Sequence, residues 1–112
     1  MKKILFALIF ILRCCIFSWA TAPSEINMEY NAEKKILHIE VKHISRNVNK
    51  HYIRRLIVYK KEEQAANFIY PKQPSPTRLI EDVPLEAQSG DVIMVKAICN
   101  QAGPKEETFV IP

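Results

Sequence analysis

Two histidines and one cysteine are the residues of this chain whose side chains could together bind a transition metal. His43 and His51 flank the short polar segment 44–50, and Cys99 ends an apolar stretch close to the other end of the sequence. Thiolate and imidazole groups are ligands for iron, copper and zinc. Their spacing matches none of the standard zinc motifs. The sequence therefore predicts a metal site only if folding brings these three side chains together.

Each histidine and the cysteine can also be interpreted without a metal. Cys99 lies on the apolar face of a predicted strand, where a free cysteine packs as a small apolar side chain. His43 and His51 can be exposed loop residues in a basic neighbourhood. His38 lies on the polar face of an earlier predicted strand, so we expect it at the surface.

Residues 1–20 have the features of a secretory signal peptide. Two lysines precede an apolar run at residues 4–12, and small residues in the segment 18–20 mark a cleavage site before Thr21. The apolar run is shorter than the roughly 20 residues that a membrane-spanning helix needs. We therefore predict an exported, periplasmic protein whose mature form is a single domain, residues 21–112, with no membrane span.

Removal of this leader changes the charge and the cysteine content. The full chain has 16 basic residues, 12 acidic residues and three cysteines, and the mature chain keeps 13 basic residues and Cys99 alone. A nearly balanced charge gives no reason to expect nucleic-acid binding. A single cysteine excludes a disulfide within the mature chain. Arg13 and the Cys14-Cys15 pair interrupt the leader, and an uncleaved membrane anchor is therefore the alternative.

Apolar and polar residues alternate with a period of two through most of the mature sequence, which indicates strands. Seven short strands separated by turn signals are typical of an all-β, immunoglobulin-like antiparallel sandwich. Because the chain has only two glycines, we expect few bulges and few tight primed turns. The predicted strands are Ile26–Tyr30, Ile36–Ile44, Tyr52–Lys60, Asn67–Tyr70, Arg78–Val83, Val92–Cys99 and Glu107–Ile111.

The order of these features resembles the iron-binding domain of desulfoferrodoxin and superoxide reductase. The resemblance covers about residues 36–111 and rests on His43, the triplet His51–Ile53, the Gly90-Asp91 turn, and Cys99-Asn100. It implies a seven-stranded immunoglobulin-like sandwich with a non-haem iron held by four histidines and an axial cysteine. In that family the open position of the iron takes superoxide, which is reduced to peroxide. His43 and His51 match the paired histidines, and Cys99 matches the axial cysteine.

The chain departs from that family pattern at two of the five ligand positions. Ala102 stands where the family has its last histidine, and His38 lies too close to His43 to match the earliest one. The predicted ligand set of His43, His51 and Cys99 is therefore incomplete without water, a partner chain or a second molecule. The resemblance implies iron as cofactor and an electron-donor protein or a partner subunit. The missing imidazoles argue against full superoxide reduction.

A second resemblance implies a different class of function. The run Tyr52–Arg55 and the Gly90-Asp91 turn are also similar to the small exported sandwich subunit of the sulfur-oxidation carrier complex, which holds no metal. This resemblance implies a non-catalytic interaction module, in which Cys99 is a core residue and the histidines lie at the surface. The sequence assigns no catalytic residue and leaves the oligomeric state open.

Overall fold

Seven antiparallel strands make up the part of the chain that the structure describes. A computed structural model describes residues 21–112, so the predicted leader lies outside the described residues. The strands are β1 (Glu25–Asn31), β2 (Ile36–Lys42), β3 (Ile53–Lys60), β4 (Glu63–Ile69), β5 (Arg78–Pro84), β6 (Val92–Cys99) and β7 (Gly103–Val110). Each of the seven overlaps a strand that the alternation predicts.

The strands form two sheets that pack face to face. One sheet has the order β1-β2-β5 and the other has the order β4-β3-β6-β7, with antiparallel pairing throughout. This arrangement is an immunoglobulin-like sandwich, so the predicted fold class is confirmed. Within residues 21–112, no helix has the length and apolar character needed to cross a membrane.

The core lies between the sheets and consists of alternate residues of the central strands. Burying each of these large apolar side chains stabilises the fold by about 1.5–3 kcal/mol. Cys99 continues the buried face of β6 and is 3% exposed. Six residues of β2 and β6 with no exposed surface line this core: Leu37, Ile39, Val41, Ile93, Val95 and Ala97.

The turn between β3 and β4 differs from the prediction. Lys61 and Glu62 have φ values of 52° and 70°, which are typical of a two-residue type I′ hairpin. Strand β4 therefore begins at Glu63, four residues before the predicted start. This primed turn forms without glycine, because the twist of the paired strands favours it. The left-handed backbone conformation costs about 1–2 kcal/mol per residue, and the pairing of β3 with β4 offsets this cost.

Asp91 closes the turn before β6 at one end of the sandwich. The backbone N–H of Gln88 donates to Asp91 Oδ2 at 2.9 Å, and Lys61 Nζ lies 3.3 Å from Oδ1. The Gln88 N–H, and after it the Lys61 ammonium, hold the pKa of Asp91 below its ordinary value of 3.8. A lowered carboxyl pKa stabilises the folded state above the ordinary value. That contribution is lost as the pH falls through the folded-state pKa.

Substitution of Asp91 should therefore have a pH-dependent effect on stability. We expect Asp91→Asn to lower the free energy of unfolding at neutral pH, and the difference from wild type to shrink below pH 3.8. Urea denaturation at about pH 7 and about pH 2.5 measures this difference. Glu107→Gln, at an exposed position of β7, is the control. An equal loss of stability at both pH values would contradict the assigned role of Asp91.

Candidate metal centre

The three residues predicted as metal ligands meet at one end of the sandwich. His43 is the first residue after β2, His51 precedes β3, and Cys99 is the last residue of β6. One ligand atom from each of the three side chains can be chosen so that all lie within 4.8 Å of one another. The rings of His43 and His51 meet edge to face, with centroids 4.6 Å apart and planes at 79°.

The closest contact in this group joins the cysteine to the second histidine. His51 Nε2 lies 3.1 Å from Cys99 Sγ, although the two residues are 48 positions apart in the sequence. Cys99 is 3% exposed and His51 is half-buried, so the contact lies at the edge of the core. Sulfur and nitrogen are therefore held together by the fold at a place that solvent reaches from one side.

Pairing of β3 with β6 places Cys99 next to His51. Ile53, the first residue of β3, is directly opposite Cys99, the last residue of β6. His51 lies two residues before Ile53, so it reaches the sandwich end where β6 finishes. A β-bulge between Ile53 and Arg55 adjusts the register at this point.

Asn100 fastens the loop that carries His51 to the end of β6. Its Oδ1 accepts a hydrogen bond from the Tyr52 N–H at 3.0 Å, and its Nδ2 donates to the Lys50 carbonyl at 2.8 Å. The Asn100 N–H also donates to the Tyr52 carbonyl at 3.0 Å. Both neighbours of His51 are thus tied to the residue that follows Cys99, which fixes the distance between the ring and the sulfur.

Gln73 orients His43. It is 1% exposed, and its Nε2 donates to the carbonyls of His43 and Ser75 at 2.8 and 2.7 Å. Its Oε1 accepts from the Ile53 N–H at 3.2 Å and lies 2.7 Å from His43 Nδ1. Because the amide orientation is fixed by these partners, Nδ1 of His43 must carry the hydrogen. The atom of His43 that could bind a cation is therefore Nε2, which lies 2.9 Å from the Thr21 carbonyl oxygen.

Gln73 lies in the proline-rich segment 71–76, between β4 and β5. A glutamine between prolines carries no spacing signal for a metal centre, so its role is visible only in the structure. Residues that hold a ligating histidine through its second nitrogen usually govern metal affinity as well as ring orientation.

The environment of His51 favours the neutral ring. Burial, and after it the charge of His43, lowers the pKa of His51 below its ordinary value of 6.5, and the carbonyl of Thr21 offsets part of this effect. A neutral imidazole is the form that binds metal ions. The lowered pKa therefore favours the form of His51 that can offer a lone pair to a cation.

The separations at this site fit a transition metal. Metal–nitrogen bonds are about 2.0–2.1 Å long and metal–sulfur bonds are about 2.3 Å long. A nitrogen and a sulfur that are bound to one ion at right angles therefore lie about 3.1 Å apart. His51 Nε2 and Cys99 Sγ have that separation, 3.1 Å. The ligand atoms of the three residues all lie within 4.8 Å of one another. A nitrogen and a sulfur on opposite sides of one ion lie roughly 4.4 Å apart, so the side chains need to move only slightly closer together to bind it.

Two other residues considered in the sequence do not join the site. His38 lies on the outer face of β2, and its Nδ1 is 2.5 Å from Asp82 Oδ1 on β5. Ala102 packs, partly buried, against the core and offers no ligand atom. Among the described residues the group that could hold a metal is therefore the three predicted ones.

A cavity of about 550 Å³ opens onto His51 from solvent. Arg46 and Lys50 place two positive charges at its mouth, and Ile44 is 63% exposed beside them. Thr21 and Ala22, the first described residues, form another part of its wall. A small anion can approach the site through this opening.

Known proteins match this chain by structure. No family model matches the sequence, and no curated protein sequence matches it. A crystal structure of superoxide reductase in the oxidised state superimposes with a TM-score of 0.59 at 16% identity, over 85% of this chain and 93% of that one. Superoxide reductase (neelaredoxin) from Ignicoccus hospitalis gives a TM-score of 0.55 at 15% identity, over 80% of each chain.

A hypothetical protein from Pyrococcus horikoshii OT3 is also similar, with a TM-score of 0.55 at 17% identity over 90% of this chain and 99% of that one. These likenesses extend over nearly all of the described residues. The chain therefore has the superoxide reductase fold, as the sequence resemblance implied.

Removal of the Gln73 amide should loosen His43. We expect Gln73→Ala to lower the free energy of unfolding by about 1–3 kcal/mol, since the Ile53 N–H and the His43 ring lose a buried acceptor. Chemical denaturation measures this loss, and Gln88→Ala at an exposed-turn position before β6 is the control. Nitrogen NMR of the His43 ring should show Nδ1–H in wild type and a mixture of tautomers in the variant. An unchanged tautomer would contradict the orienting role of Gln73.

Proposed function

We propose that this chain is an exported, superoxide reductase-like domain that binds iron through His43, His51 and Cys99 and takes part in one-electron redox reactions. The observation that carries the proposal is the convergence of two imidazoles and a thiol within 4.8 Å on a superoxide reductase fold. Mixed nitrogen and sulfur ligands of this kind bind iron, copper and zinc, and the fold similarity favours iron.

Each ligand residue has a separate role in this proposal. Cys99 supplies an anionic sulfur, and the N–H of Gln101 points at that sulfur from 3.4 Å. Hydrogen bonds to a ligating sulfur raise the reduction potential of the metal it holds. His43 and His51 supply neutral nitrogens whose positions are fixed by Gln73 and by the Asn100 contacts. Iron bound there would supply the one-electron chemistry.

The incomplete ligand set defines the limits of the activity. Three protein ligands leave positions for water, a small anion or a further protein group. The absence of two imidazoles changes the field that sets the potential of the iron. We therefore propose a redox role without full superoxide reduction.

A redox role requires an electron donor. We propose a protein or partner subunit with an acidic face, because Arg46 and Lys50 make the cavity mouth basic.

The carrier-subunit alternative makes a different prediction for the same residues. It requires no metal and expects the histidines at the surface, whereas His43 is 1% exposed and both of its ring nitrogens have partners. A buried imidazole that is held through Nδ1 and lies beside a second imidazole and a thiol is the arrangement that a metal-ligating histidine needs. The absence of retained metal in purified protein would nevertheless favour the carrier alternative.

Anaerobic loading of the exported protein with ferrous iron, followed by oxidation, tests the proposal. We expect one retained iron and a visible thiolate-to-iron charge-transfer band, because sulfur is a direct ligand. Cys99→Ala should abolish the band, and His51→Ala should weaken iron binding by at least about tenfold. His38→Ala is the matched control, since its ring lies on the outer face of β2, and it should leave both unchanged. A protein that retains no iron would overturn the proposal.

A further inference from the structure

The first described residue of the chain lies directly on the proposed metal centre. The carbonyl oxygen of Thr21 is 2.9 Å from His43 Nε2, and Thr21 lines the same cavity as His51. Two residues further on, Pro23 is buried, and the Ser24 N–H donates to the Lys42 carbonyl at 2.9 Å. These contacts fix the direction in which the chain enters β1 and hold Thr21 over the two imidazoles.

The contact between Thr21 and His43 joins a carbonyl oxygen to Nε2, the ring nitrogen that Gln73 does not contact. Gln73 Oε1 takes the Nδ1 hydrogen of His43, so an ion bound to this ring would be held at Nε2. The Thr21 carbonyl oxygen is also a lone-pair acceptor. Two acceptors 2.9 Å apart repel each other unless a proton or a metal ion lies between them.

The separation of these two atoms matches that of adjacent ligands of one ion. A nitrogen and an oxygen that are bound at right angles, each with a bond of about 2.0–2.1 Å, lie about 2.9 Å apart. The distance from Thr21 O to His43 Nε2 is 2.9 Å. His51 Nε2 and Cys99 Sγ satisfy the same condition for nitrogen and sulfur. The Thr21 carbonyl oxygen thus lies beside the three candidate ligands, at a distance from His43 Nε2 that one ion can bridge.

Predicted leader cleavage would give Thr21 a second ligand atom. Cleavage before Thr21 frees its α-amino group, which is three covalent bonds from the carbonyl oxygen and hence no more than about 4 Å from it. An amine and a carbonyl on one residue close a five-membered chelate ring with a metal. In an uncleaved chain the same nitrogen belongs to a peptide bond, whose delocalised lone pair makes it a poor ligand.

We propose that Thr21, through its carbonyl oxygen and the α-amino group released by leader cleavage, is the fourth metal-binding residue of this centre. The proposal rests on the proposed function, and it assigns to the mature N-terminus the positions that the missing family histidines leave open. Metal binding is thereby coupled to export, because the complete site forms only after the leader is removed.

An insertion that moves the amine away tests this proposal without touching the cleavage site. Full-length chain is expressed with its leader in an exporting host, and intact mass confirms that Thr21 is the first residue. In the variant, alanine and serine are inserted between Thr21 and Ala22, so a carbonyl stays over the histidines while the amine moves by about 7 Å. The control carries the same insertion between Glu33 and Lys34, in the turn from β1 to β2.

The probe is ferrous iron under anaerobic conditions, with affinity measured by chelator competition. We expect the insertion after Thr21 to weaken iron binding by at least about tenfold and to shift the charge-transfer band. Loss of a direct ligand should lower the metal affinity at least as much as loss of a residue that only orients a ligand. The control should match wild type.

Unchanged affinity and an unchanged band in the Thr21 insertion would overturn the role of Thr21, while iron binding by wild type would still support the proposed function. A mature protein that begins at another residue would also overturn it. Failure of wild type to bind iron would overturn both.

Discussion

The pairing of β3 with β6 is the constraint on which the metal centre depends. Side chains alternate between the two faces of a strand, so a slip of one residue would turn Cys99 away from the histidines. The same slip would carry Val95 and Ala97 of β6 out of the core, where both have no exposed surface. The free energy of burying these apolar side chains therefore also fixes the position of the sulfur.

Polar contacts fix the part of the site that the core does not reach. The two histidines lie outside the strands, in segments where apolar burial is small. Gln73 holds His43 through a buried amide with four partners, and Asn100 holds the loop of His51 through its side chain and backbone. Removal of a partner from the buried Gln73 amide would cost stability, so Gln73 holds His43 in place before a metal binds. Asn100 is exposed and adds the contacts that tie the His51 loop to the end of β6.

Strand β6 shows how much the sequence predicts, since its alternation and the polar turn before it give the observed bounds Val92–Cys99. Strand β4 shows the limit, because a primed turn at Lys61-Glu62 depends on strand twist rather than on residue type. The three candidate ligands came from residue chemistry and a family resemblance. Gln73 and Thr21 had no such signal, because a loop amide and a backbone carbonyl acquire their roles only through tertiary contacts.

X-ray absorption of the iron-loaded exported protein measures most directly whether sulfur and imidazole meet at one ion. The fold predicts a sulfur neighbour at about 2.3 Å and nitrogen neighbours at about 2.0–2.1 Å from the iron. In the Cys99→Ser variant the sulfur neighbour should be lost while the imidazole scattering remains. An iron surrounded only by oxygen and nitrogen in the wild-type protein would contradict the account, because Cys99 would then be a core residue with no part in metal binding.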